Sequence, residues 1–292
     1  MSQVVFRNRW LPYLLIIPQI VITIVFFFWP AFTSLRLALY RTSPFGDRTT
    51  FVGWQNFQRL FESANYRQSL LSTLIFSSSV MIFGVIISLG VALLLNMAIR
   101  GLRFYRTAIL WPYGIALPVA GIIWMFLLHP SYGIIPYWLR GLPFDFDWIL
   151  NSRAAMFLVI ATAIWTNLGY NVAFFLAGLQ AIPKSLLEAS YVDGATGRQA
   201  IRYITLPLLS PTIFFLFVMN LIYSLFDTFG LIDAVTKGGP GGATSILIFK
   251  AYRDGIISLN LGSSAAQSVV LMLIATALTV FQFQFVERKV SY

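Results

Sequence analysis

The stretch EASYVDGATGRQAIRYITLP, residues 188–207, stands between two of the longest apolar runs of the chain. It contains acids, bases, two glycines and a proline. Charged side chains are costly inside a bilayer, so a chain that spans a membrane has to place such a segment outside the hydrocarbon layer.

The first part of this region predicts a short helix that ends at a glycine. Pro183 suits the first turn of a helix because it has no amide hydrogen to lose there. Residues 184–192 can then form about two helical turns, which end at Gly194. This predicted helix is too short to cross a membrane.

A second helix is predicted directly after the glycine. Thr196 and Gln199 have the T-x-x-Q spacing of a capping box, which satisfies the first amides of a helix. Pro207 and Pro211 then interrupt that helix, since proline removes a backbone hydrogen bond. The region therefore predicts two short helices, joined at a glycine, on the surface of a membrane.

Composition places the rest of the chain in a bilayer. Of its 292 residues, 58% are hydrophobic, 16% aromatic and only 10% charged, far from the balance of a soluble domain. There is no cysteine and a single histidine, His129, so disulfides and Cys/His metal sites are excluded by inventory. The net charge of +10 favours anionic lipid headgroups, and not nucleic acid, as the partner of the basic residues.

Six apolar runs are long enough to cross the hydrocarbon core, so we expect an all-α polytopic protein with six transmembrane helices. They cover residues 12–35, 70–98, 106–128, 154–180, 209–232 and 264–286. The third run contains Pro112, Gly114, Pro118 and Gly121, which predicts a broken or bent helix at membrane depth.

Charge density predicts that both termini are cytoplasmic. With the N-terminus inside, the inner segments hold half of the 20 basic residues but are much shorter than the outer ones. These inner residues are Arg7, Arg9, Arg100, Arg103, Arg106, Lys184, Arg198, Arg202, Arg288 and Lys289. The segment with the two short helices then lies on the cytoplasmic face.

That segment has the composition of a docking surface. Ala189 and Ser190 are small enough for another protein to approach closely, and Glu188 and Asp193 offer fixed charges to basic groups of a partner. An ordinary amphipathic loop that rests on lipid headgroups explains the same residues. Composition and spacing leave both interpretations open.

The residues resemble a known motif. E-A-S-x-x-D-G-A followed by I-x-L-P is similar to the EAA loop of the permease subunits of bacterial ATP-binding-cassette importers. The matching positions are Glu188, Ala189, Gly194, Ile204, Leu206 and Pro207, and Ser190 stands where the family usually has alanine. The resemblance implies a coupling helix that sits in a groove of a separate ATPase.

The resemblance covers nearly the whole chain. Residues 9–20, 226–255 and 263–272 look like carbohydrate-type importer permeases, most of all the first permease subunit of sn-glycerol-3-phosphate importers. It implies the type I permease fold. Residues 1–65 would hold a cytoplasmic tail, the first helix and a periplasmic loop. Residues 66–287 would hold five transmembrane helices and the coupling loop 183–207, and 288–292 a cytoplasmic tail.

The resemblance also implies partners and a location. We expect a homologous second permease subunit, two copies of a cytosolic ATPase that carries ATP and magnesium, and a periplasmic solute-binding protein, all at a bacterial inner membrane. No cofactor is expected on this chain. The solute would be sn-glycerol-3-phosphate, with related glycerophosphodiesters. A neutral sugar or oligosaccharide is the alternative, because the spans show no obvious arginine clamp for a phosphate.

Polar side chains at mid-depth are the candidates for a substrate path. Asn167 and Asn171 share one helix face, as do Asn220, Tyr223 and Asp227. Interhelical packing is the simpler explanation for any one of them. The candidate set is Trp165, Thr166, Asn167, Asn171, Asn220, Tyr223 and Asp227.

Other functional classes fit less well. GLQAIPKS at 178–185 approaches a Walker A loop, but Pro183 replaces the second glycine and has no amide for a phosphate. DGATGR at 193–198 approaches the opening motif of phosphatidyl-alcohol transferases, yet residues 207–226 supply no further carboxylate to hold a metal. Ion-coupled transport would need more intramembrane ionisable groups than Asp227. The chain is therefore expected not to be an enzyme.

Overall fold

A computed structural model describes residues 10–43, 48–97, 101–138 and 146–286. The predicted C-terminal tail, 288–292, lies outside these ranges, as do some of the basic residues used to predict the orientation. Those are Arg7, Arg9, Arg100, Arg288 and Lys289.

Within the described residues, five helices are long and apolar enough to cross a bilayer, and a bent pair of helices, counted as one broken span, brings the number to six. The prediction of six spans is confirmed. In chain order, spans 1 to 6 are Leu11–Ala38, Ala64–Leu95, Leu102–Gly114 with Leu117–Leu127, Ser152–Ala181, Ser210–Asp227 and Leu261–Gln284.

Several spans include a turn of π-helix or 3₁₀-helix. The π-helical turns, within and between the spans, are Ile24–Phe28, Ile201–Thr205, Tyr223–Asp227, Arg253–Ile257 and Gln282–Val286, and Trp111–Gly114 is a 3₁₀ turn. The flanking α-helical parts are Leu11–Thr23, Trp29–Ala38, Leu102–Leu110, Ser210–Ile222 and Leu261–Phe281.

Shorter elements connect the spans. The helices are Gln55–Glu62, Ile134–Trp138, Lys184–Val192, Gly197–Ala200, Leu206–Leu208, Phe229–Val235 and Leu247–Tyr252. Two strands, Tyr40–Thr42 and Thr49–Phe51, form an antiparallel hairpin in which Tyr40 lies opposite Phe51 and Arg41 opposite Thr50.

Two helix boundaries differ from the prediction. Span 2 begins at Ala64 and not at residue 70, because its first turns bury Tyr66 and Ser69 in protein and so carry no long apolar run. Span 5 ends at Asp227 and not at residue 232. A turn at Thr228 separates it from the helix Phe229–Val235.

The predicted break in span 3 is confirmed. Its two halves meet at an angle of 107°, after the 3₁₀ turn Trp111–Gly114. Pro112 and Pro118 each lie in the first turn of the element that contains them, where a missing amide costs no helical hydrogen bond. Gly121 lets the second half approach the helix Phe229–Val235, since a β-carbon there would lie 2.6 Å from Val235 Cγ2.

The chain divides into two compact units. The first combines the described part of Met1–Glu62 with Ala251–Val270. Within it, the buried Asn56 amide donates to the carbonyls of Ala38 (2.8 Å) and Tyr40 (2.9 Å). Gln267, also buried, donates to Asp254 Oδ2 at 2.6 Å. The predicted division at residue 65 stays a prediction.

The second unit combines Ser63–Lys250 with the described part of Leu271–Tyr292 and contains two apolar clusters. One includes Phe76 of span 2 and Leu158 of span 4. The other includes Val85 of span 2 and Phe175 of span 4. Spans 2 and 4 are therefore the pair around which this unit is packed.

The glycine-rich loop 235–245 is held by hydrogen bonds in this second unit. Thr244, fully buried, donates to Gly239 O at 2.8 Å, and two side chains of span 2 bind the same loop. Gln68 Nε2 donates to Gly241 O (2.9 Å) and Ser72 Oγ to Ala243 O (2.8 Å). The loop is therefore fixed along the start of span 2, and its glycines do not leave it free.

Candidate functional site

The coupling segment, residues 183–207, begins with the predicted helix, Lys184–Val192. Gly194 has φ +83°, a left-handed conformation that favours glycine, and its amide donates to Tyr191 O at 3.1 Å. The next amide, of Ala195, donates to Ser190 O at 2.9 Å. These two bonds satisfy carbonyls at the helix end and turn the chain sharply.

The capping box forms as the sequence predicts. Thr196 N donates to Gln199 Oε1 at 2.7 Å, and Gln199 N donates to Thr196 Oγ1 at 3.4 Å. The following residues stay helical as far as Leu208, because the π turn Ile201–Thr205 widens the helix just before Pro207. The interruption comes at Leu209, between the two prolines.

Burial sorts the predicted coupling residues. Glu188, Ala189, Asp193 and Gly194 are exposed. Ser190 is buried, and its hydroxyl donates to Leu187 O at 2.7 Å within the same helix. The residues of the I-x-L-P part, Ile204, Leu206 and Pro207, are half-buried.

Spans 4 and 5 hold the base of the coupling segment. Ile182, which joins span 4 to the segment, is packed in the same apolar cluster as Leu209. Gly178 of span 4 allows this contact, since a β-carbon there would lie 2.7 Å from both Leu209 Cδ1 and Thr212 Oγ1. The segment is thus anchored at both ends to the facing surfaces of the two spans.

Three predicted substrate-path residues form a buried amide cluster between spans 4 and 5. Asn220 Oδ1 accepts from Asn167 Nδ2 (3.0 Å) and Asn171 Nδ2 (3.1 Å). Asn220 Nδ2 donates to Asn171 Oδ1 (2.9 Å) and to Leu216 O (2.8 Å). A β-carbon on Gly84 of span 2 would lie 3.3 Å from Asn220 Oδ1. In this structure the amides bind one another and do not line an open path.

The other path candidates are not part of this cluster. Thr166 is buried and donates to Thr162 O (2.6 Å) of its own helix, and Tyr223 donates to Ala163 O (3.3 Å). Asp227 is exposed. Sequence periodicity placed Asn167 and Asn171 on one face correctly, but it did not reveal that Asn220 closes that face.

Trp165 lines a different feature, an open groove of about 970 Å³ along spans 2 and 4. Its indole packs edge-on against Trp124, with ring centroids 5.7 Å apart. The walls are mostly apolar, for example Ile75, Phe83 and Phe157. No group of three or more His, Cys, Asp or Glu residues within the described ranges is arranged to hold a metal.

Comparison with known proteins decides the family. The profile of the family described as "Binding-protein-dependent transport system inner membrane component" matches residues 5–292. The chain belongs to this family of permeases. Its spans are therefore those of a transport-system component of an inner membrane.

Full-length relatives of the permease carry more specific names. The sn-glycerol-3-phosphate transport system permease protein UgpA of Rhizobium meliloti (strain 1021) is 51% identical over 296 residues, which cover 100% of each chain. The protein of the same name from Escherichia coli O157:H7 is 48% identical over 100% of this chain and 99% of its own.

Solved structures agree on the fold of the permease. A chain of a bacterial importer of the acidic polysaccharide alginate matches with TM-score 0.82 and 24% identity over 96% of both chains. A chain of the MetNI methionine transporter matches with TM-score 0.55 and 17% identity over 81% of this chain and 99% of that one. The type I fold predicted from the sequence is confirmed.

Sequence reasoning missed three exposed, largely apolar side chains of the coupling segment. Val192 is 87% exposed, Tyr203 68% and Tyr191 55%. Exposed apolar side chains of this size often mark a surface that binds lipid or another protein. The position of these residues could have indicated their exposure. Tyr191 and Val192 lie at the end of a helix, just before the turn at Gly194, where side chains have few neighbours.

Proposed function

We propose that this permease forms half of the translocation path of an ATP-driven importer for sn-glycerol-3-phosphate and related glycerophosphodiesters. The observation that carries the proposal is the 48–51% identity, over the full length, to permeases named for that solute. The chain itself is non-catalytic. A separate ATPase, present in two copies, binds ATP and magnesium.

A second permease subunit completes the path, and a periplasmic protein delivers the solute. The apolar groove along spans 2 and 4 supports this arrangement, since a concave surface of this kind allows a helix of the second subunit to pack closely. Anionic lipid headgroups lie beside the basic residues of the connecting loops.

Force reaches the path through the coupling segment. Glu188 and Asp193 face outward for an ATPase, while the base of the segment is packed against spans 4 and 5. A rigid element that is fixed at both ends transmits a displacement to the helices that hold it. The buried amide cluster keeps those two helices together as the segment moves.

Replacing Glu188 with Lys tests this coupling. The variant should bind the ATPase poorly, and it should lose uptake and solute-stimulated ATP hydrolysis while the permease remains in the membrane. Arg198→Glu is the matched control, because it also reverses one exposed charge in the segment, outside the EAA motif. Unchanged uptake and hydrolysis in Glu188→Lys would mean that the segment does not dock the ATPase.

The termini and the coupling segment are proposed to be cytoplasmic. The absence of cysteine allows single-cysteine variants to be labelled without background. Val192→Cys should react with a membrane-impermeant maleimide only after the cells are broken, and Thr50→Cys should react in intact spheroplasts. The opposite pattern would invert the topology.

The solute is tested by uptake in a strain that lacks its own importers for both candidates. Cells that express the permease with its partner subunits should accumulate labelled sn-glycerol-3-phosphate, and a neutral disaccharide should not compete. A neutral sugar remains the second candidate because the buried polar groups between spans 4 and 5 are uncharged amides. Competition by the sugar alone would decide for it.

A further inference from the structure

A polar groove of about 370 Å³ lies in the first compact unit, and none of its lining residues is a coupling or path candidate. Residues of the two paired strands and Ser43 and Arg48 next to them form one wall, and the turn at residues 258–260 forms the other. The lining residues are Arg41, Thr42, Ser43, Arg48, Thr50, Ser258, Leu259 and Asn260.

The pleat of the hairpin concentrates positive charge in this groove. Arg41 pairs with Thr50, and the Ser43 amide donates to Arg48 O at 2.9 Å, which continues the same register. Alternate residues of a strand point to the same face, and so do directly paired residues. Arg41, Ser43, Arg48 and Thr50 therefore share one face, with two guanidinium groups and two hydroxyls.

The opposite wall adds further donors. Asn260 begins span 6: its Oδ1 accepts from Ser263 N at 3.2 Å, and its carbonyl accepts from Ser264 N at 3.0 Å. The positive end of this 21-residue helix thus adjoins the groove. Ser258 contributes a hydroxyl on the same wall.

Thr42 lies between Arg41 and Ser43, so its side chain points to the opposite face of the hairpin. Its hydroxyl oxygen is inaccessible to solvent and is not one of the donors of the groove. Asp254, four residues before Ser258, does not line the groove and accepts a hydrogen bond from Gln267 at 2.6 Å.

The groove lies beside the ends of two candidate membrane spans, which places it at the edge of the hydrocarbon layer. Span 1 ends at Ala38, two residues before the hairpin, and span 6 begins at Leu261, directly after Asn260. Gly262 contacts the Tyr40 carbonyl so closely that a β-carbon would not fit, which holds the two span ends together. A ligand here is at the depth of lipid headgroups and is also open to water.

We propose that this groove is a binding site for the phosphate group of a glycerol phosphate. Paired arginines with several hydroxyl donors suit the three peripheral oxygens of a phosphate better than they suit a carboxylate. Two sources carry this group, free sn-glycerol-3-phosphate and the headgroup of an anionic phospholipid such as phosphatidylglycerol. The site does not depend on which solute the importer carries.

The test uses the full-length permease in phosphatidylcholine nanodiscs and two probes. Equilibrium binding of labelled sn-glycerol-3-phosphate measures the free source. Native mass spectrometry after addition of phosphatidylglycerol measures the lipid source. The variant is Arg41→Gln with Arg48→Gln, and the control is Arg59→Gln, which removes an exposed charge of the same unit outside the groove.

We expect the double variant to lose affinity for at least one probe by about tenfold or more, and Arg59→Gln to behave as the unaltered chain. Arg41→Lys with Arg48→Lys keeps the charge but not the planar fork, and should lose part of the affinity in a chain that folds. The probe that is lost identifies the source.

Three results would overturn the proposal. They are normal binding of both probes by the double variants, equal loss in Arg59→Gln, and a defect confined to association with a periplasmic binding protein. The last result would make the groove a protein contact. Since the readout is binding and not uptake, a failure of the proposed transport function would leave this test unaffected.

Discussion

Asn171 and Asn220 exchange two hydrogen bonds across the contact between spans 4 and 5, at 3.1 and 2.9 Å. Both side chains are buried, at 1% and 0% exposure. An amide pair of this kind keeps its polar groups away from lipid and fixes the rotation of one helix against the other. It lies above the coupling segment, between the same two spans that hold the base of that segment.

Leucine substitutions in the amide cluster should therefore destabilise the permease in a fixed order. Asn220→Leu leaves two buried amides without their shared acceptor and should cost most, about 1–3 kcal/mol. Asn171→Leu should cost less, and Asn167→Leu least, because Asn167 makes one of the interhelical bonds. Thermal unfolding in detergent measures the order, with the exposed Asn96→Leu as the control.

A double-mutant cycle tests whether the pair acts as a unit. The double variant Asn171→Leu with Asn220→Leu should lose less stability than the sum of the losses in the two single variants. Each single variant leaves one buried amide without its partner, whereas the double variant removes both amides of the pair. Strict additivity would contradict an energetic coupling between the two amides.

Gly169 should tolerate no side chain. A β-carbon at this position of span 4 would lie 3.0 Å from Leu110 Cα and 3.0 Å from Ile109 O of span 3, and backbone atoms cannot move aside cheaply. Gly169→Ala should lower stability by about 1–3 kcal/mol. Gly90→Ala in span 2 is the control, because no atom lies within 4 Å of its β-carbon position. A Gly169→Ala variant as stable as the control would show that this contact is looser than described.

Gly194 should be needed for the angle of the coupling segment. Its φ of +83° strains any other residue, so Gly194→Ala should cost about 1 kcal/mol locally and reduce solute-stimulated ATP hydrolysis. Gly197→Ala, in the same segment with open space around it, should leave hydrolysis unchanged. Equal activity of the two variants would mean that the turn does not transmit movement.

The exposed apolar side chains of the coupling segment should bind the ATPase. Val192→Glu places a charge at the most exposed of them and should abolish co-purification of the ATPase. Leu150→Glu is the matched control, since Leu150 is another highly exposed apolar side chain, 80% exposed, in a connecting turn outside the coupling segment. Retention of the ATPase by Val192→Glu would exclude Val192 from the interface.

Features that depend on residues close together in the chain could be predicted from the sequence. Apolar length gave six spans, proline and glycine spacing gave the break in span 3, and the capping box and Gly194 gave the shape of the coupling segment. Each of these depends on neighbours a few residues apart, such as Thr196 and Gln199. The division at residue 65, the cytoplasmic termini and the roles of the coupling residues stay predictions.

Contacts between segments far apart in the chain could not be predicted from the sequence. Asn167 and Asn171 share a helix face by periodicity alone, but Asn220, 49 residues beyond Asn171, determines that this face is sealed. Likewise, the composition of the glycine-rich loop 235–245 does not reveal that Gln68 and Ser72, which lie 173 and 171 residues before their partners in the loop, bind it. Glycine allows a backbone many conformations, but long-range hydrogen bonds determine whether the loop is held in one of them.

The sequence by itself determined that this is a six-span membrane protein with a bent polar element on its surface, because hydropathy, helix capping and proline geometry act over a few residues. The permease family was indicated by the resemblance of residues 188–207 to a known motif. Only the tertiary structure decided which polar side chains meet one another and which meet open space. When spans 4 and 5 pack, the side-chain amides of Asn171 and Asn220 donate hydrogen bonds to each other. By contrast, Arg41 and Arg48 line a groove in which no described residue is acidic. That difference depends on how helices and strands are placed in space, which no local pattern records.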